Sequence, residues 1–163
     1  MWRGARAYAR VAVVVVLATA ACGFLPESPF TLDNAAVDPT YTCPVASANA
    51  TYDLHAAIDA HNPTSNQVTI KSVDVVMTLA SAQGAWLQAV GEKFDAGKAT
   101  FTPATVKAGS NATLAATVHS SCTNGPKPSK GASYGEYSIE FNVTTSAGTM
   151  KVASTNKHRI IAY

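Results

Sequence analysis

Apolar and polar residues alternate with a period of two along most of the chain beyond position 50, the pattern of strands whose two faces meet different surroundings. In residues 51–62, Tyr52, Leu54, Ala56, Ile58 and Ala60 share one face, while Asp53, His55, Asp59 and His61 share the other. Asn62-Pro63-Thr64-Ser65-Asn66 is a turn by composition. Val68 and Ile70 then alternate, and Val73, Val75, Met77 and Leu79 alternate in the opposite phase. The phase change at Lys71-Ser72 predicts a β-bulge or a strand switch. Later, Tyr137, Ile139, Phe141 and Val143 alternate with Ser138, Glu140, Asn142 and Thr144. Ser146-Ala147-Gly148 turns the chain into residues 149–154, which predicts a hairpin before a final segment ending at Tyr163. Residues 79–91 break the pattern. Ala82, Ala85, Leu87 and Ala89 have the spacing of a short helix, but Gly84 and Gly91 predict irregular structure.

The stretch Phe101-Thr-Pro103-Ala-Thr-Val-Lys-Ala-Gly109-Ser-Asn-Ala-Thr-Leu114-Ala-Ala-Thr-Val118 adds a second kind of information. Gly109-Ser110 separates two extended runs, and Leu114, Ala116 and Val118 alternate with Thr113, Ala115 and Thr117. It resembles the mid-domain segment of bacterial immunoglobulin-like modules, where an extended run, a Gly turn and a Thr/Val-rich strand follow one another. Strand spacing and resemblance together predict an all-β fold, an immunoglobulin-like antiparallel β-sandwich of about seven strands, with a small β-barrel as the alternative.

The N-terminus obeys different rules. Arg3, Arg6 and Arg10 are the only charges before Glu27, and the uncharged run from Val11 to Leu25 is shorter than the roughly 18 apolar residues a spanning helix needs. A basic start, an apolar run and small residues at its end predict a secretory signal over residues 1–21. Thr19-Ala20-Ala21-Cys22-Gly23 resembles the lipobox of bacterial lipoproteins, departing from it at Thr19, where Leu is usual. The resemblance implies cleavage before Cys22 and acylation of that residue. It also implies location at the extracytoplasmic face of the cell membrane; ordinary cleavage after Ala20 would instead give a secreted protein. Lipidation of Cys22 would leave Cys43 and Cys122 as a pair in a disulfide-permissive compartment. Closing that loop would stabilise the fold by about 4.5 kcal/mol from chain entropy. Residues 22–40, with Pro26, Pro29 and Pro39, read as a lipidated end and flexible tether, and residues 41–163 as the sandwich.

Charge then changes meaning. The full sequence carries 12 Lys plus Arg against 10 Asp plus Glu. Removing residues 1–21 takes away three arginines and leaves a formal charge of −1, which removes any reason to expect a nucleic-acid partner.

Candidate chemistry is sparse. Gly131-Ala132-Ser133-Tyr134-Gly135 matches the G-x-S-x-G pattern of serine hydrolases, and Glu140 and His158 follow it. That pattern needs a strand before the serine and a helix after it, whereas here a loop precedes and a strand follows. Asp53, His55, Asp59 and His61 offer metal-ligand chemistry, but His55 and His61 lie about 20 Å apart along a strand and cannot share an ion. His119 and Cys122 supply two ligands only, and Met150 and His158 have no cysteine beside them, so no copper site is expected. Trp86, Tyr134 and Tyr137 could stack on a sugar or a partner. Lys151, Lys157 and Arg159 could face an anionic surface, and Asn49, Asn111 and Asn142 begin sequons of the kind a Thr-rich chain produces by chance. These readings predict no enzyme, no metal and no cofactor. They predict a membrane attachment through Cys22 and a binding module whose partner is a protein or polymer of the envelope, with an envelope metal-binding protein or a structural spacer domain as the alternatives.

Overall fold

The computed structural model describes residues 29–124 and 132–163. Cys22, the expected signal over residues 1–21 and residues 125–131 lie outside the described residues. Eleven strands and no helix are found among those described: β1 Thr31–Val37, β2 Thr40–Thr42, β3 Ser47–Asn62, β4 Val68–Gln83, β5 Lys93–Lys98, β6 Thr100–Thr102, β7 Thr105–Val106, β8 Ser110–Asn124, β9 Ser133–Thr145, β10 Gly148–Ala153 and β11 His158–Ala162. One sheet has the order β1-β3-β8-β6. The other has the order β2-β11-β9-β4-β5, with β10 beside β9 and β7 beside β4.

This order defines the fold. The first sheet is the A-B-E-D arrangement, and β11-β9-β4 is the G-F-C arrangement, with β5 added at its edge. The first arm of the chain divides between the sheets: β1 runs antiparallel to β3, and β2 runs parallel to β11. The protein is an immunoglobulin-like β-sandwich. It has eleven strands where about seven were expected because short breaks divide several arms; β10 and β11, for instance, pair with successive halves of β9.

The alternation reads out directly as packing. Tyr52, Leu54, Ala56, Ile58 and Ala60 of β3 and Leu114, Ala116 and Val118 of β8 turn inward and are buried. They meet Val73, Val75, Met77 and Leu79 of β4 and Tyr137, Ile139, Phe141 and Val143 of β9. The phase change in β4 is a real irregularity, for its register with β9 shifts between Ile70 and Ser72. That shift keeps both Ile70 and Val73 inside, although their spacing would put one of them outside on a regular strand. Residues 84–92 form a loop, so the glycines and not the helical spacing of the alanines decide that region.

The sandwich begins earlier than position 41. β1 pairs with β3 from Thr31↔His61 to Val37↔Ala56, and Phe30, Ala35 and Val37 are buried in the core. A strand within a proline-marked stretch escapes the tether reading because its apolar residues are spaced across a bulge between Asp33 and Ala36, which hides the alternation. The last part of the expected tether is therefore folded domain.

Candidate functional site

The strand directions give the sandwich two unlike ends. β3 ends, β4 starts and β8 starts at one of them, where Phe30 also brings the N-terminal segment in. We call this the near end. The far end holds the starts of β3 and β9 and the ends of β2, β4, β8 and β11. β3 has 16 residues, so the ends are about 50 Å apart at ordinary strand rise.

Asn62 closes the near end. It is fully buried, and its side-chain nitrogen lies within 3.0 Å of the carbonyl oxygens of Asn66, Val106 and Lys107. Its Oδ1 accepts from the Thr64 hydroxyl at 2.7 Å. One amide thus ties the β3–β4 turn to the turn before β8.

The far end is open. A groove of about 560 Å³ runs between the sheets, walled by Met77 and Tyr137 from the core, by Trp86, Leu87 and Phe94 from the β4–β5 arm, and by Tyr163. The arm is positioned by two small residues. Gly84 has φ +76°, a conformation that suits glycine, and starts the loop. Gly135 leaves room for Trp86: a Cβ there would come within 2.5 Å of the indole. The indole N–H donates to the Tyr137 hydroxyl at 3.0 Å, and that hydroxyl donates in turn to Gln88. Burial, with the Glu92 charge adding to it, pushes the Tyr137 phenol above its ordinary value, so it stays a neutral donor. All five large apolar side chains that stand exposed among the described residues (Val45, Leu87, Val90, Phe94 and Tyr163) belong to this end, and Leu87 is 92% exposed.

Cys43 and Cys122 are joined beside the groove, their Cα atoms 6.0 Å apart. Cys43 follows β2 and Cys122 lies on β8, so the bond crosses between the sheets. Asn124 reinforces it by donating to the Cys43 carbonyl at 3.0 Å and accepting from the Tyr163 N–H at 3.2 Å.

Among the described residues, Ser133 and Gly135 of the hydrolase-like motif and the Glu140 and His158 that follow it are each occupied elsewhere. Ser133 starts β9 and accepts a hydrogen bond from the Ala85 N–H at 3.2 Å; Gly135 accommodates Trp86. Glu140 pairs with Lys151 at 3.0 Å. His158 is buried, donates through Nδ1 to the Asp38 carbonyl at 2.6 Å, and faces the Tyr52 hydroxyl through Nε2 at 3.2 Å. Burial holds this imidazole below its ordinary pKa and, in the same pocket, pushes Tyr52 up to about 12. Ser133 and Gly135 thus position the loop that walls the groove.

The other candidates scatter. Asp53, His55, Asp59 and His61 do lie on the outer face of β3, but each histidine takes an aspartate from another element: His55 pairs with Asp38 at 2.8 Å and His61 with Asp33 at 3.2 Å. Asp53 instead pairs with His119 of β8 at 2.6 Å. Burial pushes the Asp38 carboxyl up, but hydrogen bonds from the His55 backbone and side chain outweigh it and hold the group below its ordinary value. No cluster of three or more potential metal ligands occurs among the described residues. Tyr134 lies away from the groove under the Arg159 guanidinium, 4.5 Å from the ring centroid, and Arg159 and Lys157 both reach Glu136. Asn49 and Asn111 are exposed and Asn142 is half-buried.

Of the three aromatic residues that the sequence offered for stacking, Trp86 and Tyr137 line the groove and Tyr134 does not, while Gln88, Leu87, Phe94 and Tyr163 line it without having been offered. A signal was present: Leu87 and Val90 are large apolar residues in a stretch with no strand period.

No family model and no curated protein matches the chain. Among solved structures it is similar to an ASH/PapD-like domain of human CEP192, at 11% identity over 96% of each chain with a TM-score of 0.26. It is also similar to the CooA pilin subunit of enterotoxigenic Escherichia coli, at 16% identity over 79% of this chain and 97% of the pilin with a TM-score of 0.29. A third is the putative ApaA protein of Bordetella pertussis, at 15% identity over 82% and 95% with a TM-score of 0.32. Likeness at this level says nothing of activity or partners. The fold assignment rests on the strand order.

Proposed function

We propose that the chain is a lipid-anchored, non-enzymatic binding module of the cell envelope that presents its far-end groove outward. The observation that carries this reading is the gathering of every exposed large apolar side chain among the described residues at one end of the sandwich. Monomeric domains rarely leave such groups together unless they meet something. The second support is orientation. The N-terminal segment joins the sandwich at the near end, so an anchor at Cys22 would hold the groove about 50 Å farther from the membrane than the point of attachment. Acylation at Cys22 with two chains would suffice for stable anchoring.

Two measurements test the two halves. The native chain should fractionate with membranes and Cys22→Ala should not; a Cys22→Ala chain that stays with membranes defeats the lipid anchor. An envelope component should be retained by the immobilised wild-type chain and lost with Leu87→Asp, which alters only an exposed side chain of the groove. Retention that ignores Leu87→Asp would move the working surface elsewhere.

A further inference from the structure

We infer that the groove takes a small uncharged amphiphile, a molecule with an apolar body and a single neutral hydrogen-bonding head; this deepens the proposed function and rests on the groove being the working surface. The first support is the charge of the wall. Among the described residues that line it there is no Lys, Arg, His, Asp or Glu. A charged ligand would lose its water between the sheets and meet no charged side chain among those lining residues, a costly transfer. The Glu92 carboxylate, on the adjoining loop, is engaged by the Ala89 N–H at 3.0 Å.

The second support is the state of the polar atoms. The Tyr137 hydroxyl is shared between Trp86 and Gln88, Ser133 holds the Ala85 N–H, and Asn124 spans Cys43 and Tyr163. The buried and half-buried polar groups of the wall thus satisfy one another and offer little to a sugar, whose many hydroxyls would go unpaired, while the exposed Asn49, Ser121 and Thr123 stay in contact with solvent. The Gln88 amide nitrogen makes no hydrogen bond among the described residues and can meet one neutral acceptor.

The third support is shape. About 560 Å³ lies within the range of small-molecule pockets, roughly 300–1,000 Å³. Strand addition by a peptide is discouraged at the adjoining edge. β5 begins and ends with Lys93 and Lys98 and pairs with β4 across a bulge, both of which blunt a free edge.

The test uses the full chain carrying Trp2→Phe, which leaves Trp86 as the sole indole. Its emission is followed during titration with decanol, decanoate and decyltrimethylammonium. Decanol should shift the Trp86 emission to the blue with saturation, and both ions should bind at least about ten-fold more weakly, as expected where the described lining residues carry no charged side chain. Adding Leu87→Asp should abolish the saturable shift, whereas any partitioning into the apolar N-terminal run would be common to both chains. Equal binding of the ions, or no saturable decanol site, overturns the inference. If decanol fails while an envelope component is still retained through Leu87, the amphiphile is wrong and the binding module stands; if both fail, the proposed function falls as well.

Discussion

The two ends of this sandwich are built from the same strands yet solve opposite problems. At the near end a buried polar residue, Asn62, gathers the carbonyls of two turns. At the far end the sheets stay apart, apolar side chains face solvent, and a disulfide with an aromatic arm holds the walls in place. The near end is specified by hydrogen bonds that must all be made, because an unpaired buried carbonyl is expensive. The far end is specified by a covalent bond and by packing against glycine, which hold shape without filling the space between.

This contrast can be broken at several points. The largest effect is expected from removing the disulfide. Cys43→Ala with Cys122→Ala frees a loop with a sequence separation of 79 and should cost about 4 kcal/mol in urea unfolding, at the upper part of the usual range. Asn62→Ala should cost about 3 kcal/mol by the same measurement, because it removes the hydrogen bonds that tie two turns together and strands the buried Val106 carbonyl, and should leave Trp86 emission unchanged. Gly135→Ala should cost about 2 kcal/mol through overpacking and should change Trp86 emission, since the new methyl needs the space of the indole. An unchanged spectrum in that variant would mean that Trp86 does not lie across β9.

A pH effect comes next. His158 lies in the core between Tyr52 and the Asp38 carbonyl, and burial lowers its pKa. Below the ordinary imidazole value of about 6.5 the unfolded chain binds a proton that the folded chain resists, so stability should fall as pH drops through that value. The urea midpoint should therefore decrease from pH 7.5 to pH 5, with the slope reduced in His158→Gln. His61 works the other way: hydrogen bonds to Asn111 and Asp33 raise its pKa, so its contribution is present at low pH and lost as pH rises. Being exposed, it opposes His158 only slightly. The smallest effect on stability is expected from Leu87→Asp, within about 0.5 kcal/mol of wild type, because the side chain touches solvent almost entirely. That null effect on folding is what makes it the sharpest probe of the groove.

How far could this have been read without the fold? Alternation placed the inward residues of β3, β4, β8 and β9 and located the bulge near Lys71-Ser72, since a period of two is a local property that burial imposes directly. It failed on β1, where a bulge obscured the period, and so let the tether run too far into the domain. Ser133 illustrates a different limit. The local context of its motif spoke against hydrolase chemistry but could not say what these positions do instead, because the role of Gly135 is set by Trp86, 49 positions away, and that of Ser133 by Ala85.

What the residues determined by themselves was the all-β class, the inward face of each long strand and the break marked by Gly84 and Gly91, because each depends on near neighbours in the chain. Only the tertiary structure decided that Asn62 closes one end, that Trp86 folds over Gly135, and that Leu87, Phe94 and Tyr163 share one mouth. Those relations join residues tens of positions apart through the pairing of two sheets, and no local period carries that information.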